Sequence, residues 1–103
     1  MRGDFIMEEK VANLIKELKA LPIHIEIIED DGGVMTLAIE FPEAFEYAKT
    51  LDASKKALVH SMKGWAEALS SEFNRWKKGR DNEIPYLLKI LVSSEEELLS
   101  CLK

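Results

Sequence analysis

A chain of 103 residues holds one domain and leaves no room for two. Its 47% hydrophobic and 32% charged residues are ordinary globular values, which exclude wholesale disorder. With 19 acids against 14 basic residues the net charge is -5, so bulk nucleic acid and anionic membrane repel the chain and a basic partner suits it better.

The single cysteine, Cys101, cannot form an internal disulfide and points to a reducing compartment, the cytoplasm. No apolar run approaches the ~20 residues of a membrane span. Met1-Arg2-Gly3-Asp4 is followed by no signal-like apolar region. Met7 is an alternative start.

The first predicted element is a helix over about residues 5–20. Met7, Val11, Leu14, Ile15 and Leu18 recur at helical spacing, and Pro22 ends the pattern. The period then changes to two. Ile23, Ile25 and Ile27 alternate with His24, Glu26 and Ile28, which predicts a half-buried strand. Glu29-Asp30-Asp31-Gly32-Gly33 follows, and its glycines are expected to supply the positive φ of a tight hairpin turn. The return strand puts Met35, Leu37, Ile39 and Phe41 on one face, expected to meet the long helix. Val34, Thr36, Ala38 and Glu40 take the other. Residues 45–49 alternate again and predict a third, edge strand.

A long helix is predicted over about residues 53–77. Leu58, Met62, Trp65, Leu69, Phe73 and Trp76 form one apolar stripe along it. Asp52 is its expected N-cap, Lys77 and Lys78 suit its last turn, and Gly79 ends it. Gly64, in mid-helix, is read as marking a close backbone approach. Residues 80–83 read as a loop. Ile84 to Val92 is apolar almost throughout, broken by Lys89, and predicts a strand buried on both faces. Ser94 and Glu97 have capping-box spacing at the start of a last short helix.

The fold class is therefore α+β. A small, mainly antiparallel sheet of three to four strands packs on one long amphipathic helix, with short N- and C-terminal helices flanking it. The whole of 1–103 forms this single domain.

No cofactor or metal site is expected. His24 lies on the polar face of a strand, and His60 falls opposite Leu58 and Met62, so the two histidines do not converge. Cys101 lies beside Leu99 and Leu102 and lacks a neighbouring base, which makes it a packed thiol and no nucleophile. No nucleophile–base pair is visible, so the chain reads as a non-enzyme. Glu29, Asp30 and Asp31 form the densest acidic cluster. They serve either a basic partner or merely a solvated hairpin tip that discourages edge pairing. Tyr47 and Tyr86, in elements whose second faces are not clearly polar, join them as candidate partner-binding residues. Arg75, Lys77, Lys78 and Arg80 surround Trp76 and are the candidate phosphate contacts. They are too few for sequence-specific DNA binding by the isolated protein. Apolar residues surplus to one core predict a homodimer or higher oligomer.

Residues 30–69 resemble the HicB-like antitoxin family. The resemblance is carried by Asp31, Gly32 and Gly33, then Phe41-Pro42, then Thr50-Leu51. Trp65 and Glu67-Ala68-Leu69 continue it, and Asn82-Glu83-Ile84-Pro85 is similar to the family's following loop. The chain departs from the family at Glu43, Lys49 and Ser54-Lys55, and in its leading helix. The residues after Val92 are too few for a C-terminal DNA-binding domain. The resemblance implies a domain that binds and blocks a small basic ribonuclease toxin of double-stranded-RNA-binding-like fold. The rival readings are a stand-alone oligomeric structural protein and a weak nucleic-acid binder using the basic end of the long helix.

Overall fold

The computed structural model describes the backbone from Arg2 to Lys103 and the side chains from Glu8 onward. Its elements are α1 (Arg2–Ala20), β1 (Ile25–Asp30), β2 (Gly33–Ala38), β3 (Phe45–Ala48), α2 (Leu51–Ser70), α3 (Phe73–Trp76), α4 (Ile84–Val92) and α5 (Glu95–Cys101). The three strands form one antiparallel sheet in the order β1-β2-β3. The class is α+β, as the alternation of periods predicts. Met7 in the α1 stripe lies outside the described side chains.

Helix α2 lies across β2 and β3 on one side of the sheet. The core fills the space between them and α4 and α5, around Phe41, Leu58, Met62, Leu87, Ile90 and Leu98. Phe41 stacks on Trp65 with ring centroids 5.0 Å apart, and Trp65 meets Trp76 edge-on at 5.9 Å. Ile23 is fully buried just ahead of β1, where a parallel bridge joins it to Leu102. The capping box is present at α5. Ser94 Oγ accepts from the Glu97 N–H, and Glu97 accepts from the Ser94 N–H.

The helix that follows the sheet differs in detail from its expectation. Thr50 is the N-cap, its hydroxyl accepting from the Ala53 N–H, and Asp52 sits one position into the first turn. The helix stops at Ser70. There Ser70 and Ser71 turn their hydroxyls back onto the carbonyls of Glu67 and Ala68, satisfying the last turn locally. The apolar stripe nevertheless continues into α3, which carries Phe73 and the buried Trp76. Gly79 takes a φ of 74° beyond it. A Cβ added at Gly64 would meet nothing within 4 Å, so among the described residues no backbone from outside the helix approaches there.

Three expectations are corrected. First, residues 84–92 form a helix and no fourth strand exists among the described residues. Pro85 stands in the first turn, where a missing N–H costs nothing. The residue that breaks the apolar run, Lys89, is fully buried. Its Nζ donates to the Leu18 and Lys19 carbonyls at 3.4 and 2.5 Å and lies 3.3 Å from Cys101 Sγ. The lysine thus caps the C-terminal end of α1, where cations are favoured.

Second, the faces of β2 are reversed. Val34, Thr36 and Ala38 point at α2, while Met35 and Leu37 point away. A polar pair, Thr36 Oγ1 to Ser54 Oγ at 2.8 Å, is buried between sheet and helix on the inward face. Small side chains at Ala38 and Ser54 fit that close contact. Of the four large residues expected on the inner face only Phe41 is buried, and it lies beyond the strand.

Third, neither glycine of the hairpin turn has a positive φ; among the described residues Gly79 alone does. Asp30 Oδ1 accepts from the N–H groups of Gly32 and Gly33 at 2.8 and 2.9 Å and closes the turn as an Asx motif. Glycine is needed for space: a Cβ on Gly33 would lie 2.3 Å from the Ala48 carbonyl oxygen and 3.0 Å from the Tyr47 ring.

Candidate partner-binding surface

Reversal of β2 gives the sheet an apolar outer face. The register sets Ile28 beside Met35 and Met35 beside Tyr47, and Leu37 beside Phe45, all pointing away from α2. Ile39 continues the row. Phe45 is 58% exposed, Ile39 54%, Tyr47 51% and Ile28 44%, so the row is open to solvent. A sheet covered on one side ordinarily alternates apolar-in with polar-out. Here the outward positions other than Glu26 and the turn end are apolar too, and contiguous exposed patches of this kind mark interaction sites.

Glu26 lies in that row beside Leu37, and Asp30 and Asp31 stand at its hairpin end, whereas the register turns Glu29 and Glu46 toward α2, where Glu46 accepts from Ser61. From His24 to Lys49 the chain carries Glu26, Glu29, Asp30, Asp31, Glu40, Glu43 and Glu46 against Lys49 alone. The sheet segment therefore holds the chain's negative excess. Glu26, Glu29 and Asp31 are exposed and make no ion pair with the described residues.

The five candidate partner residues divide between two places. Asp30 and Tyr47 meet: the Tyr47 hydroxyl donates to Asp30 Oδ1 at 2.9 Å. That bond, with the two backbone N–H groups, holds the Asp30 carboxyl below its ordinary range and the Tyr47 hydroxyl above its own. Glu29 and Asp31 flank Asp30 at the same end of the sheet. Tyr86 lies elsewhere, half-buried on α4 with its ring 5.7 Å from that of Phe41, and burial is the first cause of its raised pKa.

The basic cluster is partly engaged. Arg80 pairs with Glu43, lies 3.7 Å from Glu83, and has its guanidinium 5.7 Å from the Trp76 ring centroid. Glu43 also accepts from Trp65 Nε1 at 3.1 Å, and Arg80 and then Trp65 hold its carboxyl below the usual range. Lys77 lies over Phe73, and Arg75, Lys77 and Lys78 are exposed. Sequence reasoning missed both the sheet row and the Glu43 clamp. The first was legible only through the register. The second had one signal, a charged residue at a position where the resembled family has glycine.

Elsewhere the surface offers shallow grooves along α2, one lined by His60, Lys63, Gly64, Glu67 and Glu95. His60 Nδ1 lies 3.2 Å from Glu95, and His24 Nδ1 3.2 Å from Glu40. Among the described residues no three His, Cys, Asp or Glu side chains are grouped to hold a metal ion. No described helix is long and apolar enough to cross a membrane.

No family model matches the chain, and no curated protein matches it. The fold has a solved counterpart. A crystal structure from Syntrophomonas wolfei subsp. wolfei, of the antitoxin part of a proposed toxin/antitoxin system, superposes with a TM-score of 0.81. The two are 20% identical over 89% of this chain and 68% of that one, a likeness of fold.

Proposed function

We propose that this protein is an antitoxin-type, HicB-like binding module that acts in the cytoplasm and sequesters a small basic ribonuclease toxin. The observation that carries this reading is the apolar row from Ile28 to Phe45 on the outer sheet face, with Glu26 beside Leu37 and the acidic turn at Asp30 and Asp31 at its end. Apolar area supplies affinity, and a surrounding field of one sign selects an oppositely charged partner and speeds encounter. A second copy docked on the same face would bring Glu26 and the turn acids of two copies together, which like charge disfavours. The fold shared with an antitoxin supports the same reading. The role asks for binding alone and no chemistry from this chain.

The test is neutralisation. Each open reading frame adjacent to this chain's gene would be expressed from an inducible promoter, with and without this protein, and the proposal expects one of them to encode a short basic protein. The proposal expects growth arrest by that protein, relieved by co-expression and not relieved when Phe45 and Ile28 are both replaced by lysine. Neighbours that are all harmless, or relief that survives the double substitution, would contradict it. With Arg80 held by Glu43, the basic cluster has three exposed cations for phosphates, which supports electrostatic contact only.

A further inference from the structure

Helix α1 stands apart from the rest of the fold. The chain measures 61 × 29 × 18 Å, and its radius of gyration is 15.6 Å. A compact domain of this length has about 13 Å. Among the described side chains, α1 is anchored at its C-terminal part, through Lys89 on α4 and the Lys19–Glu97 pair at 3.1 Å. Ile15 and Leu18 are half-buried there, while Val11 is 49% exposed and Leu14 53%.

The spacing of α1 describes what would cover it. Val11, Leu14 and Leu18 step by three and four residues, the 3.5-residue period of a two-helix seam, narrower than a core-facing stripe. The residues flanking that seam on one side are Lys10 and Glu17, both exposed and neither paired with a described residue. In an antiparallel pair of such helices these two flanking positions face each other across the seam. Lys10 of each copy then meets Glu17 of the other, twice by symmetry. In a parallel pair Lys10 would face Ile15 and the charges would find no partner. An antiparallel pair also sets the two folded bodies at opposite ends of the seam, clear of each other. The exposed apolar row on the sheet is unsuited to self-pairing because Glu26 and the turn acids of two copies would meet there.

We infer that α1 is a self-association helix, which pairs antiparallel with α1 of a second copy through Val11, Leu14 and Leu18, with registry set by Lys10 and Glu17. The inference does not rest on the proposed function, since it uses a different surface.

The test is molar mass by light scattering on the full chain at tens of micromolar. The expected mass is twice 11.7 kDa. Leu14→Lys, at a site already half exposed, should give the monomer mass with an unchanged circular-dichroism spectrum. K10E and E17K should each raise the dimer dissociation constant about ten-fold or more, since each reversal acts twice. The double swap K10E/E17K should restore it to near the starting value. A monomer mass for the unmodified chain would overturn the inference. So would a dimer mass that survives Leu14→Lys, charge variants without effect, or a dimer lost on Phe45→Lys instead.

Discussion

The Tyr47 hydroxyl reaches Asp30 Oδ1 at 2.9 Å across the first residue of the central strand, Gly33. The bond links the edge strand β3 to the end of the other edge strand, β1. It exists because the intervening residues have no side chain, and a Cβ on Gly32 would already lie 2.9 Å from that hydroxyl.

Gly33→Ala should therefore destabilise the protein by about 1–3 kcal/mol, the usual cost of overpacking a tight site. The cause is collision with Ala48 and Tyr47, with no left-handed backbone involved. Urea unfolding followed by tryptophan fluorescence measures it. A midpoint equal to the wild type would mean that β3 does not approach the turn this closely.

The two faces of the sheet respond differently to truncation. Leu58, fully buried on α2, should cost about 2–5 kcal/mol when replaced by alanine. Phe45→Ala, despite removing a larger side chain, should change stability by about 0.5 kcal/mol or less, as exposed sites do. Equal losses at the two positions, by denaturant midpoint, would show that the outer face is covered in the isolated chain.

Acid should weaken the fold through identifiable carboxylates. Asp30, Glu43 and Glu97 have folded pKa values below their ordinary ones, held there first by Tyr47, Arg80 and the Ser94 N–H respectively. Their contribution is complete above the ordinary carboxylate range near pH 4–4.5 and is lost as pH falls through the lowered values. Glu83, raised mainly by burial, works in the opposite sense and gains as it protonates. The denaturant midpoint should fall between pH 6 and pH 3, and Glu43→Gln should flatten part of that fall. A slope unaltered by Glu43→Gln would remove the Arg80–Glu43–Trp65 clamp from the account.

The hairpin, the edge strand β3, the long helix and the capping box are all legible in the sequence, because local periodicity and cap spacing are local physics. The orientation of β2 is not. Hydropathy assigns Met35 and Leu37 to the core, whereas Thr36 turns inward to meet Ser54, a partner 18 residues away that no strand pattern reveals. Residues 84–92 mislead for a related reason. A short apolar run fits a buried strand and a buried helix equally. Two residues decide it: Pro85 at a helix start, and Lys89, whose charge is satisfied by carbonyls on α1. Asp30 and Tyr47 lie together at the turn, Tyr86 packs against the core, and the outer apolar row appears only once the register is known.

The central claim is that the outer sheet face binds a basic protein, and calorimetric titration into this chain of the purified product of the growth-arresting neighbouring gene that the proposal expects tests it most directly. The account predicts saturable binding at ~100 mM salt that weakens at ~500 mM, as complementary charge requires. Phe45→Lys should weaken it at least ten-fold, or about 1.4 kcal/mol, without altering the denaturant midpoint. No heat of binding at either salt, or an affinity indifferent to Phe45→Lys and to charge reversal at Glu26 and Asp31, would contradict the account.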